Sequence, residues 1–234
     1  LKELAINYRD IIVFDFETGS RNPAKTQPTQ IAAIALHGRK LTAQPGGIFN
    51  SEIRPILNDD KAIEMGLDPV EDEALDITHK TRKELEKAPH LKTVWKKFGE
   101  FVNKFNFKKT PYYAPIPAGY NILGFDMPIV QRVCEEHGPI DKQGRQSLFN
   151  RIHKVDVMDM VWQWMENNPD VKSLSMDSMR EYMGFPEESK EGAHDALQDV
   201  KDTANMMIRF FKFYRSLAPK TKFEKAFADG NFYV

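Results

Sequence analysis

The stretch from Asp10 to Gly19, DIIVFDFETG, constrains the chain most, because a strand pattern suited to burial carries two acids on one of its faces. Side chains alternate along a strand, so Ile11, Val13, Asp15 and Glu17 share a side, with the two carboxylates roughly 6 to 7 Å apart. A carboxylate leaving a buried face is costly unless it is paired, hydrogen-bonded or bound to metal. No Lys or Arg lies within the stretch to neutralise either acid. At about 4 Å two like charges repel by roughly 4 kcal/mol at an effective dielectric near 20, so such a cluster keeps protons or takes up Mg²⁺ or Mn²⁺. Taken alone, the pair could equally be an exposed strand end.

Downstream of the first strand, Gln30 to His37 and Gly47 to Arg54 read as two further strands, joined by turn-rich HGRK and TAQPGG. Three strands without an intervening helix imply an antiparallel meander. Short helical signals fill Lys61 to Lys87, with ITHKT among them. His90 to Phe107 reads as an amphipathic helix, with Leu91, Val94, Trp95, Phe98, Phe101, Val102 and Phe105 at three- and four-residue spacing. Its other face holds Lys92, Lys96, Lys97 and Lys104, a pattern that fits a solvated surface better than a phosphate track.

A strand ending in PAGYN is expected next, although Pro117 argues against a central position because proline has no N–H to give to a ladder. Helices are expected over Pro128 to His137, Val155 to Asn167, Leu174 to Met183 with Ser173 as cap, and Asp195 to Arg215. Strands first, then strands alternating with helices, describe an α/β three-layer fold, with a mixed sheet between helical layers. We read residues 1–234 as a single domain, with 216–234 as a C-terminal tail.

Composition narrows the setting. A formal net charge of −1 means that a nucleic-acid partner must be met by a local basic surface. The one cysteine, Cys134, excludes an internal disulfide and fits a reducing compartment. No apolar run suits a membrane span, and the first residues lack the apolar core of a signal peptide, so a cytoplasmic protein is expected.

Two more acids stand out. On the last helix Asp199 falls within the stripe of Ala196, Val200, Thr203, Ala204, Met207 and Phe211, whereas Asp195 and Asp202 read as surface acids. His194 precedes Asp199 by five residues, and five helical steps separate two side chains by ~140°, so the histidine must sit before the helix to share its site. There an imidazole can take a proton from water. Asp126, ahead of Met127 and Pro128, leaves two readings open: a helix cap, or a carboxylate at a strand end where ions gather.

Phe14-Asp15-Phe16-Glu17-Thr18-Gly19, then Gly119-Tyr120-Asn121 with Phe125-Asp126, then Ala193-His194-Asp195-Ala196-Leu197-Gln198-Asp199 together resemble the three motifs of the DnaQ-like 3′ to 5′ exonucleases, in their histidine subclass, DEDDh. The order and spacing cover about Ile11 to Arg215, and GYN looks like the exonuclease I branch. The resemblance implies a ribonuclease H-like fold and two divalent cations, Mg²⁺ or Mn²⁺. By the same resemblance Asp15, Glu17 and Asp199 would hold one cation, Asp15 would bridge to the second, Asp126 would support that second one, and His194 would be the general base. His79 of ITHKT is the rival base. Thr18, Phe16 and Asn121 would meet the substrate, with Phe16 or Tyr120 free either to stack a base or to join the core. The implied partner is nucleic acid with a free 3′ end, single strands favoured over duplexes, and DNA left undecided against RNA. Alternatives are a proofreading subunit docked on a polymerase through Phe223, Phe227, Phe232 and Tyr233, an RNA-trimming exonuclease like oligoribonuclease or RNase T, or an inactive nucleic-acid-binding module.

Overall fold

The structure is a computed structural model that describes residues 9–217 except 188, 190 and 191. A five-stranded sheet runs in the order β3-β2-β1-β4-β5. Its strands are β1 (Ile11–Thr18), β2 (Pro28–Leu36), β3 (Ala43–Glu52), β4 (Ile116–Gly119) and β5 (Val155–Asp156). The first three are antiparallel, as the meander predicts, and β4 and β5 add in parallel. This mixed sheet between two helical layers is the ribonuclease H-like arrangement that the sequence leads one to expect.

Alternation along β1 decides what each layer holds. Ile12, Phe14 and Phe16 face one side, where they pack with Val94, Trp95, Phe98 and Phe101 of α4 (Leu91–Lys104) and with Ile129, Val130 and Val133 of α5 (Asp126–His137). Ile11 and Val13 face the other side, against α6 (Val157–Met165), α7 (Met176–Tyr182) and α8 (Ala196–Leu217). The four lysines of α4 are exposed, as a solvated face requires. Between β3 and α4 lie the short helices α1 (Asp59–Glu64), α2 (Asp72–Ile77) and α3 (Arg82–Lys87), the last closed by a Thr81/Glu84 capping box.

Several expectations are corrected. Pro117 is in a central strand after all. Ile116 donates to the Asp10 carbonyl at 2.9 Å, so the donor that Pro117 lacks falls on the opposite side, where pairing with β5 starts only at Ala118. The helix expected from Val155 begins two residues later, because Val155 and Asp156 pair with β4 first. Ser175 rather than Ser173 caps α7, accepting the Ser178 N–H. α8 extends through Ser216 and Leu217, and the rest of the expected tail, with its four aromatic residues, lies outside the described residues. Among the described residues no helix is long and apolar enough to cross a membrane.

Candidate active site

β1 outruns its parallel neighbour, and the site begins where β4 stops. Their pairing ends at Val13 and Ala118, so Phe16 has no strand partner on that side. Its N–H is taken instead by the Asp126 carboxylate at 3.2 Å. The chain reaches Asp126 by turning sharply at Gly119, where a Cβ would lie 2.9 Å from the Phe14 carbonyl oxygen. It then passes through Asn121 in the left-handed region, φ 56°. Asp156 fixes this turn by accepting the backbone N–H groups of Asn121 and Leu123, each at 3.0 Å. Asp126 therefore opens α5 as a fully buried acid, 2 % exposed, bound to the strand rather than capping its own helix.

On the face of β1 turned to α8, Asp15, Glu17 and Asp199 come together. Each offers a carboxylate oxygen, and these oxygens lie within 4.8 Å of one another. Ala32 stands opposite Asp15 on β2 and leaves it room. Gln30, opposite Glu17, donates to Asp195 at 3.2 Å and so ties the start of α8 to the sheet. Asp195 is exposed, as expected, and its carboxylate accepts the N–H groups of Leu197 and Gln198. Asp126 lies outside this trio, yet it is near enough to act on Asp15 by charge.

The electrostatics are those of an under-neutralised cluster. Burial, then the charges of Asp126, Glu17 and Asp199, hold Asp15 well above the ordinary carboxylate range. Burial and Asp199 push Glu17 up to about 8, against the pull of Lys80. Burial also raises Asp126 and Asp199, the latter opposed by the charge and hydrogen bond of Arg180 and by His194. An all-oxygen donor set on buried and partly buried acids, short of positive charge, fits a hard divalent cation.

Arg180, on α7, went unnoticed in the sequence although it follows Met179 on the buried side of its helix and stands four residues after Met176. It is 1 % exposed and donates to Asp199 at 2.5 Å, Asp202 at 2.8 Å and Asp177 at 2.9 Å. Asp202 is thus not the surface acid expected. It is 1 % exposed and also accepts from Ser189 and Gln198, because the buried stripe of α8 is wider than the one drawn and includes Met206.

The remaining expectations divide. His194 precedes α8 in a turn with φ 65° and acts by charge on Asp199, whereas His79 sits exposed after α2. Thr18 lines a cavity of ≈ 170 Å³ beside Glu17, together with Ala74, Ile77, Thr78 and Phe125. Phe125 and Thr78 of ITHKT line this cavity, a place that the motifs alone did not assign to them. Phe16 is corrected: its ring points away from the acids, 4 % exposed, edge-on to Phe14 at 6.0 Å, and only its backbone serves the site. Tyr120 turns its hydroxyl to the Leu174 carbonyl, packing against the α8-side core rather than standing free. Asn121 contributes the turn, and its side chain is exposed.

The RNase T family profile, described as Exonuclease, matches residues 12–207, a span that holds all four acids and His194. The chain belongs to the RNase T exonuclease family. Solved structures agree with the fold of an RNase T-family chain. Exonuclease I is 18 % identical with a TM-score of 0.67, over 89 % of this chain and 44 % of that one. E. coli exonuclease I in complex with a dT13 oligonucleotide is 17 % identical with a TM-score of 0.66, over 89 % and 44 %. Cell-death related nuclease 4 is 16 % identical with a TM-score of 0.63, over 88 % and 65 %. The chain thus spans less than half of exonuclease I and about two thirds of the other nuclease. No curated protein matches it in sequence.

Proposed function

We infer that this chain is a DEDDh-type 3′ to 5′ exonuclease that removes nucleoside 5′-monophosphates from the 3′ end of single-stranded DNA. The observation that carries this reading is the meeting of Asp15 and Glu17 of β1 with Asp199 of α8 at one end of the sheet, in a chain whose family is the exonucleases. Asp15, Glu17 and Asp199 would hold one Mg²⁺ or Mn²⁺, and Asp15 with Asp126 a second. Bound there, such cations stabilise the attacking and leaving oxygens of an in-line displacement at phosphorus.

The chain's own groups do the rest. His194 takes the proton of the attacking water at a ring nitrogen, an imidazole being suited to that exchange near neutral pH. Thr18 and Phe125 line the narrow cavity that would receive the terminal nucleotide. Single-stranded DNA is favoured because a small cavity beside buried acids admits one strand end, and because E. coli exonuclease I, which shares the fold, has been seen with dT13.

The test is a panel of end-labelled DNA and RNA oligonucleotides, single- and double-stranded, with Mg²⁺, Mn²⁺ or EDTA. The expected result is metal-dependent shortening from the 3′ end, fastest on single-stranded DNA. Internal cleavage, or shortening that survives EDTA, would overturn the reading. His194→Ala is expected to lower the rate by about 10²-fold or more with metal binding retained. A crippled His79→Ala beside an active His194→Ala would transfer the base to His79.

A further inference from the structure

A connected set of side chains runs from the acids to the turn that carries His194, and the reaction as derived uses none of its links. Arg180 grips Asp199 and Asp202 on α8, and with its remaining nitrogen, Nη1, it holds Asp177 Oδ1 in the first turn of its own helix. The other oxygen of Asp177, Oδ2, lies 3.7 Å from His194 Nε2. Among the described residues no other group is paired with the His194 imidazole.

Exposed ion pairs are ordinarily worth little, and Asp177 is more than half exposed. Its second oxygen sets it apart, because that oxygen is bound by a guanidinium 1 % exposed and itself pinned between two acids of the neighbouring helix. The carboxylate is thus a fixed post. His194 in turn is held with φ at 65°, a conformation that a residue with a Cβ adopts only at some cost. A strained backbone and an anchored carboxylate converge on one ring.

We propose that Asp177 is a positioning residue for His194, holding the imidazole beside Asp199 so that its other ring nitrogen faces the attacking water. The proposal rests on the reading of His194 as the base. In the step that it serves, the water proton passes to the imidazole, the water oxygen bonds to phosphorus, and the bond from phosphorus to the leaving 3′-oxygen breaks, its electron pair going to that oxygen. The imidazolium so formed has the Asp177 carboxylate beside it.

The test is a double-mutant cycle on the full chain: wild type, Asp177→Asn, His194→Ala and the pair, with Asp177→Glu as the conservative variant. kcat and KM are measured on a labelled single-stranded DNA oligonucleotide with Mg²⁺, alongside Mg²⁺ calorimetry and thermal unfolding in EDTA. Asp177→Asn is expected to lower kcat about tenfold with KM, Mg²⁺ affinity and unfolding midpoint unchanged, and to have no further effect once His194 is alanine. Asp177→Glu should recover part of the loss. An equal loss with and without His194, or a fall in Mg²⁺ affinity that accounts for the lost rate, would show Asp177 acting through Arg180 and Asp199 and overturn the proposal alone. A His194→Ala enzyme as fast as wild type would instead remove the base, and the role of Asp177 with it.

Discussion

The two faces of β1 are built from alternate residues of one strand and are physically opposite. On one, Phe14 stacks on Phe149 at 5.0 Å with Phe16 and Phe98 around it, a closed apolar layer. On the other, Ile11 and Val13 begin as core and Asp15 and Glu17 end as acids aimed at Asp199. The strand backbone is common to both, so the difference lies in what stands across from each face. Helices α4 and α5 present rings and aliphatic chains, whereas α8 presents a carboxylate held by Arg180. The first face stabilises the fold, and the second keeps charge close together at a cost in stability.

That contrast can be broken most forcefully at the acids. Asp15→Ala or Asp199→Ala should lower metal-dependent degradation of a 3′-ended oligonucleotide by more than about 10³-fold, since the removed group would touch both metal and reaction. For Asp15→Ala the unfolding midpoint in EDTA should stay at or above that of wild type, because the acid removed is one whose ionisation burial and its acidic neighbours oppose in the folded protein. Near-normal degradation by either variant would dissolve the site.

Phe14→Ala tests the opposite face. Truncating a fully buried ring should destabilise the protein by about 3 to 5 kcal/mol in denaturant unfolding. Its Mg²⁺ affinity, measured where the variant is still folded, should be little changed. A loss of metal binding as large as the loss of stability would mean that the two faces are not independent.

A smaller effect should appear in pH. Glu17 is raised by burial and by Asp199 to about 8, so in metal-free protein its contribution is a penalty that is absent below its unfolded value near 4.5. The penalty grows as pH climbs between those values and levels off above about 8. Scans of unfolding midpoint against pH in EDTA should therefore fall more steeply for wild type than for Glu17→Gln, and saturating Mg²⁺ should reduce the difference. Parallel curves would mean that Glu17 is not strained in the folded protein. The smallest effect is expected at Lys97→Ala on the exposed side of α4, within about 0.5 kcal/mol in stability, with KM for the oligonucleotide unaltered. A clear rise in KM would instead recruit that helix face to the substrate.

What could be read beforehand follows from the reach of local pattern. Period two put Asp15 and Glu17 on one side of a strand, and period 3.6 put Asp199 into a buried stripe. Both signals lie within a few residues, and the structure brings the three acids together. Arg180 escaped because its partners Asp199 and Asp202 stand 19 and 22 residues away, and nothing in the spacing of one helix says which residues of another it will meet. The same limit hid the pairing of Asp126 with the Phe16 backbone, 110 residues apart. Pro117 misled for a different reason, since the rule against proline in central strands assumes a ladder on both sides at that residue.

One carboxylate outside the trio of Asp15, Glu17 and Asp199 governs how Asp126 is held. Asp156 accepts three backbone N–H groups, from Asn121, Leu123 and Met158, and so clasps the loop before Asp126 to the stub of β5. A lesion there would leave Asp15, Glu17, Asp126 and Asp199 intact in the sequence and still let the loop drift, so the arrangement of the acids can be lost through slack in a turn rather than through the loss of a carboxylate.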